Sequence, residues 1–223
     1  MNKDTNFKAI FFDMDGLLVD TEALRLTCSR DVLSTVGVEI PTEWYIKEGL
    51  ANGRSTFELA RAKGISESKI EQLRKYRNEQ VGEIFRESIE PIDGVLETLE
   101  NLYGRFLLAV VTGSRREHVD IIMQKTGMFR FFDFFITGDD VANFKPHPEP
   151  YLKAIQRAQE DAQQCLVLED AQQGVRAAKA AGLTCYAIPD ELTRTHDFSS
   201  ADKILNSIRE LPDIILPTTS DFS

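Results

Sequence analysis

The first residues in this chain that could do chemistry are two aspartates, Asp13 and Asp15. They stand two residues apart, after the apolar stretch "AIFF" and directly before Gly16. An aspartate at the end of a strand can simply form a turn or cap a helix. It can also act as a nucleophile, as a general acid or base, or as a ligand for a hard cation such as Mg2+. The pair alone does not decide between these interpretations.

Three later points in the chain carry polar residues in the same setting, at the end of an apolar run or in the loop after it. These residues are Thr112, Gly113 and Ser114, then Lys145, and then Glu169 and Asp170. Each has an ordinary structural reading: a loop opening, a solvated lysine, and a helix cap formed by Asp170. Those readings do not explain why acids, hydroxyls and a lysine all recur at the same end of successive apolar runs.

The apolar runs alternate with helical patterns. The runs at 8–13, 106–112, 131–137, 165–170 and 184–189 predict strands, and the last of these is the final strand candidate. Helices are predicted at about 116–126, 150–162 and 174–182. Strands that are apolar on both faces and separated by helices form parallel sheets that are covered on both sides. The predicted fold class is therefore α/β, a Rossmann-like doubly wound parallel sheet, in which functional sites lie at the carboxyl ends of the strands.

Residues 21–90 interrupt this alternation. They are charged and helical, with a capping box at Ser55 and Glu58 and a helix end at Gly64. We predict an α-helical cap domain over 21–90, inserted into a core domain formed by 1–20 and 91–216. The polar stretch 217–223 is predicted to be a flexible tail.

The composition restricts the choice of partners and compartment. The net charge of −10 argues against a general affinity for nucleic acid or for an anionic membrane. The beginning of the chain lacks the apolar core of a secretory signal. The three cysteines are widely spaced and suit reduced thiols. We expect a cytoplasmic protein without nucleic-acid or membrane partners, and a monomer by default.

Taken together, the four polar segments resemble the signatures of the haloacid dehalogenase (HAD) superfamily of phosphotransferases. They read "DMDG", "VTGS", "KPHP" and "LEDAQQG", in the order that the family shows, and the resemblance extends over about residues 7–208. The helical insert is similar to the C1-type cap of that family. The segments "DMDGLLVDTE" and "LEDAQQGVRAAKAAG" are most similar to the β-phosphoglucomutase and sugar-phosphate phosphatase branch. Phosphoglycolate phosphatases more often show a Gly-Asp pair at the fourth signature, so Glu169 argues against them.

The resemblance implies a role for each residue. Asp13 would be the nucleophile that forms an aspartyl phosphate, and Asp15 the general acid and base. Lys145 would neutralise negative charge. The remaining assignments are Thr112 with Gly113 and Ser114 for the phosphoryl oxygens, Gly16 for a tight turn near the phosphate, and Asp13, the Asp15 carbonyl, Asp170 and nearby Glu169 for Mg2+.

The cap would supply contacts to a small phosphorylated metabolite, either a sugar phosphate or a nucleoside-type monophosphate. The loop "GLANGRSTFEL" matches a phosphate-binding cap loop and points to Arg54, although a solvated arginine at a helix start is the alternative. Lys75 and Arg77 lie near the position of another basic cap residue. The sequence does not identify the substrate.

Two alternatives to a Mg2+-dependent phosphatase stay open. The first is a β-phosphoglucomutase-like phosphomutase, which is disfavoured because Arg25 stands where those mutases carry a histidine. The second is a catalytically silent binding or regulatory protein, which is disfavoured because the signature residues are all present. Of the three histidines, His147 is predicted to shape the "KPHP" loop, while His118 and His196 are predicted to lie on the surface.

Overall fold

The computed structural model describes residues 6–216. Within that range six strands form one sheet: β1 (Ala9–Phe12), β2 (Leu107–Val111), β3 (Phe134–Ile136), β4 (Cys165–Glu169), β5 (Thr184–Ala187) and β6 (Lys203–Ile204). Their order is β3-β2-β1-β4-β5-β6, and every neighbouring pair is parallel. This confirms the predicted Rossmann-like sheet. The predicted tail at 217–223 lies outside the described residues.

The helices fall into two groups along the chain. Those of the insert are α1 (Glu22–Ser34), α2 (Thr42–Trp44, continued by a π-helical turn at Tyr45–Leu50), α3 (Phe57–Ala62) and α4 (Glu67–Ser88). Those that follow it are α5 (Val95–Leu102), α6 (Arg116–Thr126), α7 (Glu149–Ala158), α8 (Gln172–Ala180) and α9 (Leu211–Ile215).

Strand β1 shows why the sheet is covered on both sides. Its four side chains are fully buried, and they alternate between two separate clusters. Ile10 and Phe12 pack on the side of α5, α6 and α9, whereas Ala9 and Phe11 pack on the side of α7 and α8. A strand with no polar face can be stable only between two layers of helices.

The strand order reverses direction at β1 and β4, which lie side by side in the middle of the sheet. Asp13 follows β1, and its backbone N–H donates to the Leu168 carbonyl at 3.0 Å. Asp170 follows β4 directly. The two aspartates therefore meet at the switch point of the sheet, where parallel α/β folds place their ligands.

The ends of the helical insert lie next to each other. Val19 forms an antiparallel bridge with Pro91, and the Ile92 N–H donates to the Leu18 carbonyl at 2.9 Å. This pairing supports the proposed boundaries near residues 20 and 91. The insert has its own apolar cluster, but the second half of α4 (through Phe85) packs into the main core beside α6.

Several predicted boundaries need correction. The predicted strand at 131–137 begins as a 3-10 turn at Met128–Phe131, and only Phe134–Ile136 pairs in the sheet. The last strand is β6 rather than 184–189; it is two exposed residues long, too short to show an apolar run. The predicted helix at 150–162 ends at Ala158, because Gln159 adopts a left-handed backbone. Helix α8 begins at Gln172 with Ala171 as its N-cap, so Asp170 is not the cap.

The described part of the chain contains no helix that is both long enough and apolar enough to span a membrane.

Candidate active site

Lys145 connects the first and fourth polar segments. Its ammonium donates to the Asp13 carboxylate at 2.5 Å, to the Glu169 carboxylate at 2.6 Å and to the Val111 carbonyl at 2.8 Å. Lys145, Asp13 and Glu169 are all buried. Tyr151 also donates its hydroxyl to Glu169. All three ammonium hydrogens are thus engaged at the end of the sheet, which fixes Lys145 beside Asp13.

Asp15 lies on the cap side of Asp13 and accepts hydrogen bonds on both carboxylate oxygens. One oxygen accepts from the Thr21 hydroxyl and from Arg25, whose Nη2 is 2.9 Å away. The other accepts from Thr112 at 3.0 Å and from Ser114 at 2.6 Å. The structure therefore brings the predicted residues Thr112 and Ser114 together around Asp15. Gly113 lines the cavity between them.

Asp170 completes a group of three carboxylates. Asp13, Glu169 and Asp170 each offer an oxygen within 4.8 Å of the others, and all three are buried. Oxygen ligands in this number and spacing are suited to a small divalent cation. With only Lys145 between them, the three acids leave negative charge that a divalent cation would balance. The residues present therefore fit the predicted Mg2+.

Two glycines make room for these carboxylates. Gly16 has a backbone φ of +82°, and a side chain there would overlap the Asp170 carboxylate. Gly174, in the first turn of α8, lies so close to the Glu169 carboxylate that a methyl group would overlap it. Gly16 thus has a structural role in seating Asp170, in addition to the tight turn predicted from the sequence.

Burial and charge shift the pKa values of these groups in opposite directions. Burial, reinforced by the Glu169 charge, raises the pKa of Asp13 to about 8 in spite of Lys145, and it raises the pKa of Asp170 well above its usual range. Burial alone would also raise the pKa of Asp15, but the charge of Arg25 and the bonds from Ser114 and Thr21 lower it. Asp15 is therefore ionised here. Asp13 and Asp170, in contrast, have too little positive charge nearby to offset the effect of burial on their pKa values.

A cavity of about 590 Å³ opens above these residues, between the sheet edge and the cap. Arg54 lines it but is 49% exposed and forms ion pairs with Glu48 and Glu58. Arg77 also lines the cavity, whereas Lys75 is exposed and does not. Of the two α4 residues that the sequence placed near a basic cap position, only Arg77 therefore lines the cavity.

A family model described as haloacid dehalogenase-like hydrolase matches residues 10–188. The chain belongs to this family. Among its relatives, the fructose-1-phosphate phosphatase YqaB of Escherichia coli (strain K12) is 30% identical over 180 residues, which cover 79% of this chain and 94% of that protein. The hydrolase described here is accordingly a phosphoric monoester hydrolase.

Solved structures place the hydrolase in the same branch. CbbY from Rhodobacter sphaeroides, in complex with phosphate, superposes with a TM-score of 0.80 at 27% identity, covering 92% of this chain and 96% of that one. A Thermotoga maritima protein described as a candidate β-phosphoglucomutase gives a TM-score of 0.71 at 28% identity, with 94% and 98% of the two chains covered. The resemblance to the β-phosphoglucomutase and sugar-phosphate phosphatase branch is confirmed.

Arg25 and His118 line the hydrolase's cavity, although neither was predicted as part of the site. Arg25 contacts Asp15 and donates to Ser114 at 2.6 Å, so it joins the cap to the second signature. His118 was predicted to be on the surface, but this is wrong: it is only 2% exposed, because α4 covers it. His196 is half-buried rather than exposed, and its ring contacts the Ile46 carbonyl. His147 does lie in its loop as predicted and accepts from the Glu149 N–H at 3.1 Å.

Proposed function

We propose that this hydrolase is a Mg2+-dependent phosphatase that acts on a small phosphorylated metabolite, a sugar phosphate or nucleoside-type monophosphate, through an aspartyl phosphate on Asp13. The observation that carries the proposal is the juxtaposition of Asp13 with Lys145 and with Asp15 at the floor of one cavity. The name of the related fructose-1-phosphate phosphatase supports a sugar phosphate. The carboxylate cluster supports the metal.

The reaction has two steps that share the same residues. First, an Asp13 oxygen bonds to phosphorus while the bond to the leaving oxygen breaks, and the leaving oxygen takes a proton from Asp15. Second, a water oxygen bonds to phosphorus, its proton passes to Asp15, and the bond between phosphorus and Asp13 breaks. The ionised Asp15 of this structure is the form that the second step requires.

The positive charge around the phosphoryl group comes from two sources. Lys145 holds its charge next to Asp13, because the Asp13 and Glu169 carboxylates raise the pKa of Lys145 more than burial lowers it. Mg2+, when bound by Asp13, Asp170 and Glu169 with the Asp15 carbonyl, supplies the Lewis acidity that offsets repulsion between a carboxylate and a phosphate. Gly113, the Ser114 amide and Thr112 are the proposed contacts for phosphoryl oxygens.

The experiment follows hydrolysis of p-nitrophenyl phosphate in the presence of Mg2+. Asp13→Asn should abolish phosphate release, because an amide oxygen is too weak a nucleophile to form the acyl phosphate. Asp31→Asn, a matched change at an exposed position of α1, should retain wild-type activity. Full activity in Asp13→Asn would contradict the mechanism. A panel of phosphorylated metabolites, scored by released phosphate, then identifies the substrate.

The second candidate is a phosphomutase, and the structural similarity to a candidate β-phosphoglucomutase favours it. It would convert a hexose 1-phosphate to the 6-phosphate without net release of phosphate. Against it, Arg25 occupies the position of the mutase histidine and is paired with Asp15. Following both sugar products by NMR, together with inorganic phosphate, separates the two activities.

The proposed setting of the enzyme is the cytoplasm. Cys28, Cys165 and Cys185 are buried and carry free thiols, as suits a reducing compartment. A monomer remains the prediction for its oligomeric state, and light scattering of the purified protein tests it.

A further inference from the structure

Tyr151, in the first turn of α7, is fully buried and packs among the apolar side chains beside β1 and β4. Its hydroxyl donates to Oε1 of Glu169, and the Lys145 ammonium donates to the same oxygen at 2.6 Å. The ammonium also lies 5.0 Å from the centre of the Tyr151 ring. A phenylalanine would fill the same apolar space, so packing does not account for the hydroxyl. A buried phenol hydroxyl needs a hydrogen-bond partner, and this one finds it on a carboxylate of the site.

The donors at the site leave one oxygen free on each of two carboxylates. Lys145 holds Oδ1 of Asp13, and Lys145 and Tyr151 together hold Oε1 of Glu169. Among residues 6–216, no hydrogen bond is donated to Oδ2 of Asp13 or to Oε2 of Glu169. Asp13 and Glu169 both line the cavity. A cation bound by the carboxylate cluster would therefore meet a single free oxygen of Asp13 and a single free oxygen of Glu169.

Tyr151 is the partner that fixes the orientation of the Glu169 carboxylate. Lys145 carries its ammonium on a flexible four-carbon side chain, so the ammonium could follow the carboxylate if the carboxylate turned. The Tyr151 ring is enclosed by the core, and its hydroxyl cannot follow. Turning the carboxylate so that both oxygens face the cavity would break this hydrogen bond. It would leave a buried hydroxyl without a partner, which is costly.

The orientation of Glu169 decides which cation fits the cluster. Ca2+ takes about six to eight oxygen ligands and often binds both oxygens of a carboxylate, whereas Mg2+ requires near-octahedral geometry. We propose that Tyr151 is a positioning residue that restricts Glu169 to one free oxygen and thereby makes the carboxylate cluster selective for Mg2+ over Ca2+. This rests on the metal site of the proposed function and states what sets its ion preference. Tyr151 acts through Glu169 and does not itself line the cavity.

Metal binding without substrate tests the inference. The melting temperature of EDTA-treated protein is titrated with MgCl2 or with CaCl2, and its dependence on concentration gives a dissociation constant for each ion. The wild type should bind Mg2+ more tightly than Ca2+. In Tyr151→Phe the dissociation constant for Mg2+ should rise about tenfold, the lower end of the loss expected when a hydrogen bond to a metal ligand is removed. The constant for Ca2+ should change by less than about threefold, because a Glu169 that is free to turn can offer both oxygens to the larger ion.

Tyr186→Phe is the matched control, because it removes the hydroxyl of another buried tyrosine, on β5 in the other apolar cluster. It should leave both dissociation constants unchanged. An unchanged Mg2+ constant in Tyr151→Phe, or equal weakening of both ions, overturns the inference, since a loosened core alone would not discriminate between ions. A wild type that binds neither ion overturns the metal site and this inference together. Failure of the phosphatase function is a separate result, since it appears as absent turnover in a wild-type protein that binds Mg2+.

Discussion

At the scale of single residues, Lys145 is the positive group that connects the buried acids of the site. Its three donors reach two carboxylates and the Val111 carbonyl at the end of β2. A buried ammonium with these partners stays charged and cannot rotate away. Asp13 is thereby held next to a fixed positive charge before any substrate enters, which reduces the reorganisation that the reaction needs.

Glu22 is the residue whose titration can be followed most directly. Burial, with the charge of Asp15, raises the pKa of Glu22 to about 7, although the Tyr45 hydroxyl and Arg25 act in the opposite direction. The folded protein therefore holds this proton more tightly than the unfolded chain, whose carboxyl has a pKa of 4.5. The free energy of unfolding should fall as pH rises from about 4.5 to about 7 because of this group.

The variant Glu22→Gln removes that dependence. Its free energy of unfolding should exceed that of the wild type by on the order of 2 kcal/mol at pH 8 and should differ little at pH 5, as urea denaturation at each pH will measure. Glu43→Gln, at an exposed position of α2, is the control. Identical pH dependence in the wild type and Glu22→Gln would show that Glu22 has an ordinary pKa.

The strand pattern predicted that the polar residues after the strands would meet, but it did not predict which helix residues would join them. Asp13, Thr112, Lys145 and Asp170 follow strands of one sheet, so their convergence follows from the strand pattern alone. Arg25, Arg77 and His118 lie on three different helices, α1, α4 and α6. Whether such side chains meet depends on how the cap packs on the core, which no local pattern encodes.

At the scale of elements, the contact between α8 and β4 decides where Glu169 can lie. Gly174 is helical, and alanine usually stabilises a helix relative to glycine. Here a methyl group would overlap the Glu169 carboxylate. Gly174→Ala should therefore destabilise the protein by about 1 to 3 kcal/mol, opposite to the effect of helix propensity, and the midpoint of urea unfolding measures this.

Arg176→Ala, at an exposed position of the same helix, serves as its control and should change stability by less than about 0.5 kcal/mol. A Gly174→Ala protein that is as stable as the wild type, or more stable, would mean that Glu169 is free to move away from α8.

Buried elements were predicted well and exposed ones poorly. The apolar runs at β1, β2, β4 and β5 and the helix at 116–126 agree with the structure, because a run of buried residues is visible in sequence. Strand β6 is two exposed residues long and pairs only at the sheet edge, so it leaves no such pattern. The end of α7 depends on the left-handed backbone of Gln159, a residue type that gives no stop signal.

At the scale of the whole molecule, the fold brings negative charge from two adjacent strands to one point. Asp13, Glu169 and Asp170 share one buried volume with a single lysine. A divalent cation that binds only the folded protein relieves this repulsion. At a free Mg2+ concentration of about 100 times the dissociation constant it should add about 2.7 kcal/mol to the free energy of unfolding.

The measurement compares the melting temperature with EDTA and with excess Mg2+. The temperature should rise with Mg2+ in the wild type, and the rise should be lost in Asp170→Asn but retained in Asp31→Asn. Phosphatase activity should disappear and return with the same treatments. A melting temperature that Mg2+ does not change would contradict the metal assignment for these three carboxylates.

The central claim, that Asp13 becomes phosphorylated, is tested most directly by trapping the phosphoenzyme. The variant Asp15→Asn lacks the base for the second step. The intermediate should therefore accumulate when the protein is mixed with p-nitrophenyl phosphate, whose leaving oxygen needs no proton from Asp15 in the first step, and is then quenched in acid. Peptide mass spectrometry should then find one phosphoryl group, located on Asp13. Phosphate release in the wild type, combined with no phosphorylated peptide in Asp15→Asn or with phosphate on another residue, would contradict the account.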